Sequence, residues 1–123
     1  MWRWYAGEVA DGLDPNLRPE LEELTASVCR ALNDPKRLLI LYALAAEARS
    51  VSDLVDLLEV TQSNVSQHLA VLRDRGLVET TRDANRTIYS LRDTRVVKAI
   101  DLLRAVMNDE LARRQALRQG ARP

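Results

Sequence analysis

Val60-Thr61-Gln62-Ser63-Asn64-Val65-Ser66-Gln67-His68-Leu69-Ala70-Val71-Leu72-Arg73-Asp74-Arg75-Gly76-Leu77-Val78 is the stretch on which the architecture turns. At about 100° per residue, Val65, Leu69 and Leu72 fall on one side of a helix running from Gln62 to Arg75. Ser63, Ser66, Gln67 and Ala70 fall opposite, with Gln62 and Asn64 on the flanks and His68 near the boundary between the two faces. A face meant only for water more often carries Glu and Lys. This one carries neutral hydrogen-bonding side chains around a small residue, which permits close approach to base edges: Asn and Gln bond adenine bidentately, and Ser bonds bases or phosphates. Gly76 stops the helix, as a residue tolerant of left-handed backbone does just past a C-terminus.

Upstream, Ser50-Val51-Ser52-Asp53 reads as a capping box that opens a short helix from Val51 to Leu58, and Glu59-Val60-Thr61 makes a tight connection. Downstream the period changes to two: 77–82 and 86–91 are β-branched and alternating, separated by Asp83-Ala84-Asn85 as a three-residue turn. Short helix, tight turn, second helix and two-stranded hairpin is the order of a winged helix-turn-helix, mainly α with a small β-hairpin, whose second helix enters the DNA major groove. Arg82 and Arg86 flank the hairpin turn, within reach of the minor groove or flanking phosphates, and Arg73 sits at the far end of the reading helix. The plain alternative for the tip is an edge hairpin kept soluble by charge.

Further out, Leu17, Leu21, Leu24, Val28 and Leu32 are spaced by four, three, four and four, which predicts a helix from Asp14 or Pro19 to Leu32 with one apolar stripe. Asn33-Asp34-Pro35 breaks it and restarts a helix to Ala46 whose apolar residues wrap most of the circumference, so it is expected at the centre. Asp93-Thr94 begins a long last helix to about Gln119, with Val96, Ile100, Leu103, Met107 and Leu111 on one face. Residues 1–13 form a separate arm carrying Trp2, Trp4 and Tyr5, and 120–123 should fray.

The chain has 123 residues, 46% hydrophobic and 29% charged, with 18 acidic and 18 basic side chains, the profile of one ordinary soluble domain. No apolar run approaches the roughly 20 residues of a bilayer span, and the N-terminus lacks the pattern of a secretory leader. A cytoplasmic protein without membrane contact is expected. A single cysteine, Cys29, excludes an internal disulfide framework and multi-thiolate metal cages, and a single histidine, His68, excludes a two-histidine zinc site within one chain. With no paired His or Cys and no serine in a strained elbow, no catalytic constellation stands out and no cofactor is expected. The neutral total hides a gradient: residues 1–35 carry a net charge of −4, and residues 61–98 a net charge of +3, a segment suited to phosphate.

Two segments then resemble a known family. Ala31-Leu32-Asn33-Asp34-Pro35-Lys36-Arg37-Leu38-Leu39-Ile40-Leu41 is similar to the "ALSDPTRLRIL" start of the second helix in the ArsR/SmtB family of bacterial winged-helix repressors. Residues 60–78 resemble that family's "SQSxVSxHLxxLxxxGLV" helix and wing, and with Arg86-Thr87-Ile88-Tyr89-Ser90-Leu91 the resemblance spans about residues 25 to 105. It implies a homodimer, paired through helices 14–33 and 94–119, that binds a palindromic double-stranded operator and leaves it when an inducer binds. The DNA-contacting set it and the helix geometry suggest is Thr61, Gln62, Ser63, Asn64, Ser66, Gln67, His68, Arg73, Arg82 and Arg86.

The family's sensing sites do not carry over. Its thiolate site is a "CVC" at the start of the third helix, where this chain has Ser50-Val51-Ser52, and hydroxyls are poor soft-metal ligands. The other site falls at about Asp93, Arg95, Val106 and Asp109, with both imidazoles missing. No metal is therefore expected at these positions, and the inducer is open. Cys29, in the first helix, is a candidate thiol sensor or else a small buried hydrophobe. Trp2, Trp4 and Tyr5 are candidates for the lining of an organic-ligand pocket, or else simply pack on the last helix. A second class of function stays open beside DNA reading: a winged-helix protein-interaction module docking an acidic partner, which the near-neutral pI of 6.6 allows.

Overall fold

Local start and stop signals set most of the boundaries in the computed structural model of the chain, which describes residues 13–120. Helix α1 (Leu17–Leu24), a π-helical turn (Thr25–Cys29) and α2 (Arg30–Leu32) form one helical run. There follow α3 (Pro35–Ala46), β1 (Arg49–Ser50), α4 (Val51–Leu58), α5 (Gln62–Asp74), β2 (Val78–Asp83), β3 (Arg86–Leu91) and α6 (Arg95–Arg118). Asp34 accepts the Lys36 backbone N–H at 2.7 Å and Pro35 occupies the first turn of α3, so a donor the helix cannot satisfy is capped and another is absent. The capping box before α4 is complete: the Asp53 N–H donates to Ser50 Oγ at 3.2 Å and the Ser50 N–H to Asp53 Oδ2 at 3.0 Å. Past α5, Gly76 takes φ +75 with no neighbour near its missing Cβ, so the glycine serves backbone handedness, not close packing.

The core lies where α3, α4 and α5 converge on the wing. Ile40 and Leu41 of α3, Leu54 of α4, Val65, Leu69 and Leu72 of α5 and Val78 of β2 are sealed from solvent, with Ala31, Val97 and Ile100 joining them. The apolar side of α5 is thus the side expected from its period.

Four features depart from the sequence reading. The sheet has three antiparallel strands in the order β1-β3-β2, because Arg49 and Ser50 pair with Tyr89 and Ile88. A two-residue strand has no period of its own, and Ser50 doubles as the helix cap. The wing turn has two residues, not three: Asp83 pairs with Arg86, leaving Ala84 at φ +58 and Asn85 between them. The first helical run carries no buried residue in α1, and its even stripe is interrupted by the π turn. In α6 it is Val97 with Ile100 that is buried, while Leu103, Met107 and Leu111 of the expected face are exposed. The arm's Trp2, Trp4 and Tyr5, and the tail beyond Gly120, lie outside the described residues.

Candidate nucleic-acid interface

Thr61 starts the reading helix: its hydroxyl accepts the Asn64 N–H at 3.2 Å, which fixes where the first turn of α5 begins. With Val65, Leu69 and Leu72 buried beneath, the helix presents Gln62, Ser63, Ser66, Gln67 and Ala70 outward, all exposed, and Asn64 half-buried at the flank. Thr61 and Arg73 are exposed at the two ends. An open hollow between the helix and the wing is lined by Ser66, Ala70, Arg73, Asp74 and Tyr89. Tyr89, absent from the sequence-derived set, joins helix to wing there; the alternation of β3 was the only signal that could have pointed to it.

His68 faces inward and sideways. Its Nδ1 lies 3.3 Å from Arg37 Nη1, so it is a half-buried, hydrogen-bonded ring between α5 and the start of α3.

The two wing arginines are not brought together. Cross-strand pairs Arg82–Thr87 and Asp83–Arg86 are adjacent in the ladder, and the period of two sends their side chains to opposite faces. Arg82 Nη1 donates to Thr87 Oγ1 at 3.1 Å and its residue is exposed. Arg86 turns to the start of α4, where Nη2 donates to Ser50 Oγ at 2.7 Å and to Asp53 Oδ2 at 3.2 Å. Asp53 is held below the ordinary carboxylate range, first by the Ser50 backbone N–H, then by the Ser50 hydroxyl and the Arg86 guanidinium. Positions 50 to 53 therefore form a junction between wing and helix. Arg86 stands 36 residues from Ser50 and 33 from Asp53, so local pattern showed the capping box but not the arginine that joins it.

Asp93 is engaged as well: bonds from the Arg95 side chain and then from its backbone N–H lower its carboxyl to about 2. Among the described residues, no group of three His, Cys, Asp or Glu side chains stands close enough to share a metal ion. Cys29 is exposed in the π turn rather than buried. No described helix is long and apolar enough to cross a membrane.

A capped, outward-facing polar helix set between a short preceding helix and a β-wing defines a winged helix-turn-helix of the DNA-binding type. Residues 34–80 match the family model described as "Bacterial regulatory protein, arsR family". Nodulation protein NolR of Rhizobium meliloti is 38% identical over 96 residues, which cover 78% of this chain and 79% of NolR. Transcriptional activator HlyU of Vibrio cholerae is 40% identical over 95 residues, covering 75% of this chain and 87% of HlyU. Among solved structures, the homodimeric winged helix-turn-helix DNA-binding domain of Mb0332 from Mycobacterium bovis, a possible ArsR-family transcriptional regulator, superposes with a TM-score of 0.68 at 28% identity, covering 80% of this chain and 91% of that one. The chain belongs to the ArsR family, whose members are DNA-binding transcriptional regulators and not enzymes.

Proposed function

We propose that this protein is a dimeric, cytoplasmic repressor that reads a palindromic operator through α5 and is released by a signal other than a metal at the family's usual positions. The observation that carries this reading is the outward face of α5. Gln62, Ser63, Ser66 and Gln67 surround Ala70 with no charged residue among them, on a helix whose other side is locked into the core by Val65, Leu69 and Leu72. Such a face is dehydrated at little electrostatic cost and offers paired donors and acceptors to base edges. Thr61 and Asn64 hold the first turn, Arg73 and Arg82 supply phosphate contacts at either end, and Arg86 sets the wing against Ser50 and Asp53. His68, tied to Arg37, supports the helix from its inner flank.

Pairing rests on the first and last helices. Leu21, Leu24, Leu102, Leu103, Val106 and Met107 are exposed apolar side chains on these elements, the kind of surface that a second copy covers. The two copies of α5 would then meet successive major grooves about 34 Å apart. Occupying an operator in this way blocks it to other proteins.

The test is fluorescence anisotropy on the protein's own upstream DNA and on a scrambled duplex across a salt series. Wild type is expected to prefer its upstream DNA. Gln67→Ala should reduce the preference by about 1–3 kcal/mol. Arg82→Ala should weaken both duplexes alike and lower the salt slope by about one. Equal binding of the two duplexes by wild type would remove the DNA-reading assignment and favour a protein-docking module. A reporter gene read with and without the protein gives the sign of regulation. Cys29 stands exposed, so oxidised protein compared with Cys29→Ser decides thiol release: preference lost only in the oxidised wild type makes Cys29 the sensor.

A further inference from the structure

Two arginines, neither in the outward face of α5, join that helix to the backbone of the first helical run. Arg37 sits near the start of α3 with its side chain only 15% exposed. Its Nε donates to the Ala31 carbonyl at 2.5 Å, its Nη2 to the Arg30 carbonyl at 3.2 Å, and its Nη1 to His68 Nδ1 at 3.3 Å. Arg30 and Ala31 belong to the last turn before Asn33, where helix carbonyls run short of N–H partners, although the Arg30 carbonyl also accepts the Asn33 N–H at 3.2 Å. Arg37 caps that end and, with the same planar fork, holds the middle of α5. At the other end of α5, Arg75 Nη1 donates to the Ala26 carbonyl at 2.8 Å, across 49 residues of sequence. Ala26 lies in the π turn, whose wider winding loosens the regular ladder and lets a carbonyl accept from outside.

The contacts are separate in sequence: one runs from Arg37 of α3, which also holds His68 of α5, and the other from Arg75 just past α5, and both end on main-chain oxygens of residues 26–31. Main-chain acceptors move only when the helix itself moves. The donors are arginine side chains, of which Arg37, 15% exposed and bonded three times through one guanidinium, is held the more firmly, so a shift of the first run is passed to α5 through a donor with little room to turn aside.

We infer that Arg37 and Arg75 are positioning residues for DNA reading: they fix the pose of α5 against the π turn and the end of the first helical run, so that operator binding and the conformation of residues 25–33 are linked. This rests on the reading of α5 as the operator-contacting helix. By reciprocity, a change imposed on the π turn alters operator affinity by the same factor by which the operator steadies the turn.

Amide hydrogen exchange of the full-length protein, alone and with its operator duplex, tests the link. In wild type, operator binding should slow exchange in residues 25–33, although that segment lies outside the reading face. Arg75→Gln, and Arg37→Gln with it, should abolish this protection and lower operator affinity about tenfold, with scrambled-duplex affinity and salt slope unchanged. Arg75→Lys, which keeps a donor for Ala26, should restore most of both. Arg37 is the more enclosed of the two, so Arg75→Gln alone carries the test if the double variant does not fold. Undiminished protection of 25–33 in a folded Arg75→Gln, or an unchanged operator-to-scrambled ratio, overturns the inference while leaving DNA reading intact. A wild type that does not tell the two duplexes apart removes the DNA reading and this link with it.

Discussion

Around α3, α4 and α5 the chain seals Ile40, Leu41, Leu54, Val65, Leu69 and Leu72 completely, while along α6 it buries Val97 and Ile100 near the start and leaves Leu102, Leu103, Val106 and Met107 between 54% and 69% exposed. The same apolar residue types meet opposite fates. Where three helices and the wing converge, these six side chains find neighbours in their own chain, while Leu39 and Leu57, on the outer sides of α3 and α4, stay exposed. Beyond Ile100, α6 runs on for 18 residues to Arg118; Asp101 and Arg104 still reach Tyr42 of α3, and past Arg104 its ion pairs, Glu110 with Arg113 and Arg114, lie on its own surface. On the function proposed above, one copy of the chain suffices to build the outward face of α5, and the exposed apolar residues of α6 are surface offered to another copy.

Breaking the sealed half should have the largest effect. Leu69→Ala removes a fully buried side chain directly beneath the reading face and should cost about 2–5 kcal/mol, seen as a fall in the urea midpoint at every protein concentration. A midpoint within experimental error of wild type would mean that α5 does not depend on this core. Next comes the open half. Leu103→Glu with Met107→Glu should weaken pairing by about 100-fold, measured by sedimentation equilibrium, because charge is forced onto the exposed apolar face of α6 that is proposed to meet a second copy. The α5 core should stay folded, and the wild-type dependence of thermal midpoint on concentration should vanish. Unaltered pairing would show that copies meet elsewhere.

The smallest effect sharpens the comparison inside the reading half. Asp53 ionises more readily folded than unfolded, so its contribution is present above the ordinary aspartate range near pH 4 and is lost as pH falls through its lower folded value. Asp53→Asn should flatten the dependence of stability on pH between pH 5 and pH 2, followed by urea melts at each pH. An identical pH profile in the variant would show that the wing junction with Arg86 adds nothing in solution.

The starts of α3 and α4 were readable in the sequence because Asp34, and Ser50 with Asp53, satisfy backbone donors two or three residues away, and Pro35 brings no donor of its own. The sealed side of α5 was readable because period alone places Val65, Leu69 and Leu72 together. What escaped was set at a distance. Strand β1 exists because β3 lies beside it, and Arg86 leaves the wing tip because Asp53 waits 33 residues upstream. The burial of Val97 ahead of Val96 is set by where the start of α6 meets the core of the other helices, which no local spacing encodes. For the reading face, the residue types and their helical phase were legible, whereas the arginine ties beneath it, Arg37 to His68 and Arg75 to Ala26, were not.

The π turn at Thr25–Cys29 acts as a one-residue insertion placed inside a helix. An added residue rotates everything beyond it by about 100° without lengthening any loop. Leu21 and Leu24, before the turn, look outward, and Ala31, after it, is fully enclosed by the chain's own core. Were the turn wound as ordinary α-helix with no residue removed, Leu24 and Ala31, seven residues apart, would fall within about 20° of one another. The first helix would then face a single neighbour, and a rod that now turns Ala31 to its own core and Leu21 and Leu24 away from it would have to surrender one of the two.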